Sequence, residues 1–280
     1  MRIPVFILAV AVTAFAVTHQ EIITADKPVA YWQFDDSLDC CAQEAGFQHE
    51  LKAERSEHVS LSESGPRGPK FPGFEDSNLA ADFTSAGGPA FMRVKDPGAR
   101  SVFDFAKGET LTAEAWVRCD GLKDGQQVYI VGKGSWAMRL RGGRAEGKPV
   151  AAVGFLFRDE KNAGEESWHR WTSAHGFTPG EEWHHVAVTY TFGKPDSAKA
   201  WINGTEVGGV WDMGGATELG PIQDDDDVWI GSGMGGKEDV QFPGRIDELA
   251  IYRTALSTEK MAARARRTGP PPALTRIAHR

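Results

Sequence analysis

The tract from Phe242 to Ala265, FPGRIDELAIYRTALSTEKMAARA, constrains this chain more than any other stretch. It reads as a turn, a strand and a short closing helix. In the strand Asp247, Leu249 and Ile251 share one parity, so an acid is expected on a face that otherwise belongs to a core. A carboxylate there needs hydrogen bonds or a cation. The same alternation sends Asp247 and Glu248 to opposite faces of the sheet. The helix is expected over about 258–267, with Ser257 as N-cap and Glu259 in its first turn. Gly269 and the run Pro270-Pro271-Pro272 end it, and residues 268–280, without apolar periodicity, are expected to form a flexible tail.

Upstream, β patterns follow one another. Residues 30–34 (AYWQF), 111–118 (LTAEAWVR), 127–133, 137–140 and 150–157 have strand character. The clearest is 183–192, WHHVAVTYTF, in which Val186, Val188 and Tyr190 share one face and His185 takes the other. Asn203-Gly204 is a strong hairpin signal, and strands at 228–231 and 246–252 complete the set. A polar, Gly/Pro-rich region over 43–75 holds at most short strands. Many strands without alternating helices indicate an all-β sandwich, and no repeat of 20–50 residues is visible.

Val5 to Val17 is almost wholly apolar after Met1-Arg2, and Ala14-Phe15-Ala16 has the small-x-small form of a cleavage site. Residues 1–16 are therefore read as a signal peptide, too short for a membrane span, and the product is expected to be secreted, periplasmic or cell-surface with no transmembrane anchor after cleavage. With 39 acidic and 31 basic residues the net charge is -8, which gives no sign of a nucleic-acid surface. In an oxidising compartment, three cysteines permit one disulfide, expected between Cys119 and either Cys40 or Cys41, since adjacent cysteines pair poorly.

Taken in order, YWQFDD at 31–36, LTAEAWVR at 111–118, WHHVAVTY at 183–190, WINGTEV at 201–207, WIGSG at 229–233 and FPGRIDELAIYRTALS at 242–257 resemble the blocks of LamG-like domains. These belong to the concanavalin A-like lectin/glucanase superfamily. The resemblance runs over about 28–265 and implies one domain at 28–267: a two-sheet antiparallel jelly-roll sandwich closed by a short C-terminal helix. It does not imply a single function. It does imply a structural calcium held where an acid after the first strand approaches an acid of the last, here Asp35 (or Asp36) and Asp247. Without an ion, Asp35 would cap a turn and Asp247 would accept backbone N–H bonds. The run Asp224 to Asp227 lacks the alternation of an EF-hand loop and is expected to be a solvated turn.

By analogy with such folds, carbohydrate is the expected ligand. Trp136, Trp168, Trp171 and Trp211, in predicted loops or strand ends, are the candidate stacking platforms, whereas Trp32, Trp116, Trp183 and Trp229 belong to framework strands. No catalytic residues are found. The Glu-x-Asp-x-x-Glu cluster of related glucanases is missing, as are His-Glu-x-x-His and Gly-x-Ser-x-Gly. The expectation is a non-catalytic secreted module that binds a glycan. The alternative is a protein-adhesion or structural cell-surface domain whose partner is an extracellular protein.

Overall fold

A computed structural model describes residues 17–35, 51–84, 87–98, 101–161, 167–233 and 235–277. The expected signal peptide, Asp36, Cys40 and Cys41 lie outside them. In chain order the elements open with helix α1 (His19–Thr24) and strands β1 (Ala30–Trp32), β2 (Ala53–Arg55), β3 (Ser60–Ser64), β4 (Leu79–Asp82) and β5 (Met92–Val94). The long strands follow: β6 (Thr110–Cys119), β7 (Gln127–Gly132), β8 (Trp136–Ala145), β9 (Lys148–Arg158), β10 (Trp168–Phe177) and β11 (His184–Thr191). Next are β12 (Lys199–Ile202), β13 (Thr205–Val207), β14 (Gly209–Met213), β15 (Val228–Ile230) and β16 (Gly244–Tyr252). Helix α2 (Thr258–Arg264) and β17 (Thr275–Arg276) end the chain.

These strands form two antiparallel sheets. One, of eight strands, runs β13-β12-β11-β6-β16-β4-β3, with β1 also paired to β16. The other, of nine, runs β14-β10-β9-β8-β7-β15-β5-β2, with β17 added beside β10. This is the jelly-roll sandwich. Alternation along the strands builds the core between the sheets. Leu111, Ala113, Ala115, Val117 and Cys119 of β6 and Val186, Val188 and Tyr190 of β11 face Met138, Leu140, Val153, Phe155 and Phe157. The aromatics there stack in a column, Phe155 and Phe157 each 5.3 Å from Tyr190 between ring centroids. The Asn203-Gly204 hairpin forms as expected, with both residues at positive φ.

A third layer covers the outer face of the eight-stranded sheet. Ile23 of α1 and Met261 of α2 pack there with Tyr31, Ala187, Trp201, Ala250 and Tyr252. Phe71 and Phe74 pack beside them on Trp116, at ring-centroid distances of 5.0 and 5.5 Å. Helix α2 ends at Arg264, three residues before the expected limit, with Ser257 as its N-cap. Helix α1 was not expected, because six residues show no periodicity and such a helix is marginal alone. Two things hold it. Thr18 and Glu21 form a reciprocal capping box, and Asp26, just beyond the helix, binds Lys260 and, at 2.6 Å, Arg264 of α2.

Two expectations are corrected. The 268–280 tail does not run loose over its described part. Thr275–Arg276 pairs with β10, Ile277 N–H donates to Ala174 at 2.8 Å, and Leu274 packs on the core, because the edge of β10 offers unpaired backbone. Cys119 is a free thiol rather than half of a disulfide, since its parity with Val117 turns it into the inter-sheet core. Burial pushes that thiol up to about 12. Ellman's reagent at pH 8 should therefore leave Cys119 unlabelled in the native protein and label it in guanidinium, as read by mapping the modified peptide. Rapid native labelling of that peptide would contradict the placement.

Candidate functional site

Two places concentrate chemistry. The first is the acidic junction of β1, β4 and β16. Asp247 pairs with Trp116, yet Ala250 pairs with Glu114, so β16 carries one extra residue. That residue is Glu248, at φ +52 in the left-handed region. Such a bulge realigns the side chains that flank it. Asp247 therefore leaves the inter-sheet core, and Asp247 and Glu248 lie together under the third layer rather than on opposite faces. Strand parity alone, which assumes an unbroken pleat, could not show this.

Asp247 is fully buried. Its Oδ2 accepts from Asn78 Nδ2 at 2.8 Å and its Oδ1 from the Glu248 N–H at 2.9 Å. Asn78 Nδ2 also donates to the Pro66 carbonyl at 2.9 Å, and Asp35 Oδ1 accepts from the Leu79 N–H at 2.7 Å. Gly65 closes the junction: a Cβ there would lie 2.7 Å from both Asp247 Oδ2 and the Leu79 carbonyl, so no other residue fits. Glu248 accepts a short bond from the Tyr31 hydroxyl and lies 3.7 Å from His19 Nε2. Burial first, and then Glu248, hold Asp247 well above the usual carboxylate range. Burial, with Asp35 and Glu114 adding, pushes Glu248 up to about 8 against the opposing Tyr31 bond. His19 is held well below its ordinary value by burial, then by His185 and Arg264, and stays neutral. Among the described residues no lysine or arginine comes within ion-pair distance of Asp247 or Glu248, and no three His, Cys, Asp or Glu side chains converge on a metal-sized point.

The neighbouring acid shows the contrast. Glu114 meets Arg264 Nε at 2.8 Å, His185 Nε2 at 2.9 Å and the Tyr252 hydroxyl at 2.5 Å. Asp225 and Asp226 are exposed, as expected of a solvated turn, but the two ends of the run, Asp224 and Asp227, are not free. Buried Lys133 sits 2.8 Å from Asp96, 2.6 Å from Asp104 and 3.4 Å from Asp224, while Asp227 pairs with Arg93 at 2.8 Å. Its own chain's cations hold the two ends of the run.

The second place is the outer face of the nine-stranded sheet. Trp168, Arg170 and Thr172 of β10 point to it by parity, while His169 and Trp171 point inward. Asp212 of β14 gathers this face. Its carboxylate accepts from Arg170 Nε at 2.7 Å, from Thr172 Oγ1 at 3.1 Å and from Arg141. Arg139 lies over the Tyr129 ring at 5.3 Å, and Arg158 over Trp168 at 6.0 Å. Of the four expected tryptophan platforms only Trp168 faces this way. Trp136 is wholly buried and donates to the Phe103 carbonyl at 2.9 Å, and Trp171 is 4% exposed in the core. Trp211 is half-buried edge-on against Tyr190 and donates to the Pro195 carbonyl at 3.2 Å. The arginines escaped the sequence reading, although the alternation Arg139-x-Arg141 carried the signal.

The junction has a pH signature. Glu248's folded value of about 8 lies above its ordinary 4.5, so the folded state binds the extra proton between these limits. The stability this contributes is present below pH 4.5 and is lost as pH rises through about 8. In chelating buffer, wild type should lose melting temperature relative to Glu248→Gln between pH 5 and pH 8. Parallel profiles would show that the proton is not held there.

Comparison with known proteins places this geometry. A laminin G family model, described as the concanavalin A-like lectin/glucanases superfamily, matches residues 96–262. No curated protein matches the sequence. Among solved structures, the binding domain of Paraclostridial mosquitocidal protein 1 is similar at TM-score 0.55 and 15% identity, over 83% of this chain and 52% of that one. The binding domain of botulinum neurotoxin DC, in complex with rat synaptotagmin II, is similar at TM-score 0.53 and 14% identity, over 86% and 51%. Domain 4 of a GH43 extracellular arabinanase from Geobacillus stearothermophilus, in complex with arabinotriose, is similar at TM-score 0.52 and 17% identity, over 85% and 98%. The chain spans about half the length of the toxin domains and nearly all of the arabinanase domain. At these identities the likeness is one of fold; two of these neighbours are binding domains and the third is an arabinanase domain in complex with arabinotriose. The chain belongs to the concanavalin A-like lectin/glucanase superfamily.

Proposed function

We propose that this chain is an exported, non-catalytic module that binds carbohydrate on the outer face of its nine-stranded sheet and carries a structural calcium at Asp247. The observation that carries the reading is the asymmetry of the two outer faces. Among the described residues, both α-helices and residues 65–78 lie on the eight-stranded sheet, whereas the nine-stranded sheet presents Tyr129, Trp168, Arg170 and Asp212. Aromatic rings beside fixed polar groups suit a sugar, with apolar C–H faces and an equatorial rim of hydroxyls. The arabinotriose complex of a domain of matching extent supports that ligand class.

Strands β7 to β10 and β14 contain one carboxylate, Asp212, already engaged by two arginines. Glycoside hydrolysis needs two carboxyl groups flanking the bond, so this face favours binding over cleavage. At the junction Asp247, Asp35 and the Leu79 and Pro66 carbonyls offer the oxygen-only, anionic set that calcium takes. There the ion would tie β1 to β16 and replace the protons that two buried carboxyls otherwise need.

Two measurements test this. Mature protein should retain oligosaccharides on a glycan array in calcium buffer and release no new reducing ends, and Arg170→Ala should lose retention while keeping its melting temperature. Retention of proteins but of no glycan would favour the adhesion reading. Calcium at about a hundred times its Kd should stabilise wild type by about 2.7 kcal/mol. Asp247→Asn should not respond; equal shifts in both proteins would remove the ion from this site.

A further inference from the structure

One buried imidazole lacks the partner that its surroundings require. His184 opens β11 and is 2% exposed, its ring stacked on Phe177 with 4.1 Å between centroids. The side chain of Asn203 decides where its proton sits. Asn203 Oδ1 accepts from the His185 N–H at 3.1 Å, which turns Nδ2 toward His184, and Nδ2 donates to His184 Nδ1 at 3.0 Å. Nδ1 is therefore the acceptor and Nε2 carries the proton. Burial brings the ring down to about 4, so it is neutral at pH 7 and the Nε2–H is a standing donor. Yet Nε2 is buried and has no hydrogen-bond partner among the described residues. A donor in that position is costly to leave unmet.

His184 lines a cleft of about 410 Å³ at one end of the sandwich. The tip of the β8–β9 hairpin forms one side and the link 178–182 between β10 and β11 another. The C-terminal segment closes the third side, held there by the pairing of Thr275–Arg276 with β10. The lining is mixed. Val150, Pro179 and Pro272 supply aliphatic wall, whereas Glu146 and Glu181 are exposed carboxylates. Glu182 is already engaged, by Lys70 at 2.7 Å and Arg267 at 3.5 Å. The cleft thus joins one buried N–H donor, an aliphatic wall and acceptors at its rim, the composition of a small-molecule site.

Going beyond the outer-face reading, we propose a second site: this cleft takes the acetamido group of an N-acetylhexosamine. Its carbonyl accepts from His184 Nε2, its methyl packs on Val150 and the two prolines, and its N–H donates to a rim carboxylate. A free hexosamine lacks both the acceptor and the methyl. An acetylated lysine side chain carries the same group, but its methylene stem calls for an apolar channel. This mouth is edged by Glu146, Lys148, Glu181 and Thr275, which suit ring hydroxyls.

Histidine long-range 1H–15N spectra and calorimetry on the full mature protein at pH 7 test this. The probes are N-acetylglucosamine, N-acetylgalactosamine and di-N-acetylchitobiose, against glucose, glucosamine and an acetyl-lysine peptide. The His184 ring should be neutral with its proton on Nε2, and at least one acetamido sugar should shift its signals saturably. Affinity should be about tenfold weaker for the sugar without the acetyl group and in His184→Phe, which keeps the ring and loses the donor. Ala273→Trp, which obstructs the mouth from an exposed position, should abolish binding, while Arg170→Ala should bind as wild type. Unmoved His184 signals at saturating sugar would assign Nε2 to a buried water and overturn the proposal. So would equal affinity for glucose or glucosamine, wild-type affinity in Ala273→Trp, loss of binding in Arg170→Ala, or preference for the acetyl-lysine peptide. None of these outcomes removes the outer-face reading, which stands or falls on array retention and its loss in Arg170→Ala.

Discussion

The buried carboxyl of Glu114 is the constraint around which one half of the molecule is arranged. It sits at the middle of a central strand, on the face turned away from the core, and no water reaches it. Leaving such a group unpaired costs about 3–5 kcal/mol, a large share of the stability of any domain. Arg264 meets that need from α2, Tyr252 from β16 and His185 from β11. Arg264 in turn binds Asp26, which also holds Lys260, and this chain of contacts fixes both helices onto the sheet. The third layer is thus the consequence of a polar demand as much as of Ile23 and Met261 seeking cover.

This demand divides the labour of the two sheets. Covering the acids of β6 and β16 uses the helices and the 65–78 segment, and leaves the other sheet's outer face to its arginines, Tyr129 and Asp212. The two polar systems are opposite in sign. Among the described residues, Asp247 and Glu248 have no lysine or arginine within ion-pair distance under the third layer, and across the sandwich Arg139 has no carboxylate within that distance. Between them lies an apolar core of interlocked aromatic and branched side chains, which keeps each from neutralising the other.

Most of the fold was legible because it rests on alternation and turn chemistry. The strands at 111–118 and 183–192, the Asn203-Gly204 hairpin and the Ser257 cap follow from local rules, and their order along the chain identified the sandwich. What failed to show was non-local. One inserted residue at Glu248 overturned the parity of Asp247, and nothing local marks a glutamate for the left-handed region. Helix α1 depends on a contact between Asp26 and Arg264, far apart in sequence. Trp168 and Trp171, three apart in a strand, must face opposite ways, so their separation was available from spacing once that segment was known to be extended. Trp136, by contrast, became core only through the depth at which β8 begins.

The position of β16 has a consequence for how the domain comes into being. Though it is the sixteenth of the described strands in sequence, it lies inside its sheet, between β6 on one side and β1 and β4 on the other. Until it arrives, two sets of strand edges stay open, Glu114 lacks Tyr252, and Tyr31 lacks Glu248. The first strand and the last long one must therefore find each other before either is stable, a contact of high sequence separation that makes assembly slow and late. A chain built this way remains an incomplete, unlatched sheet through most of its synthesis and closes as a unit.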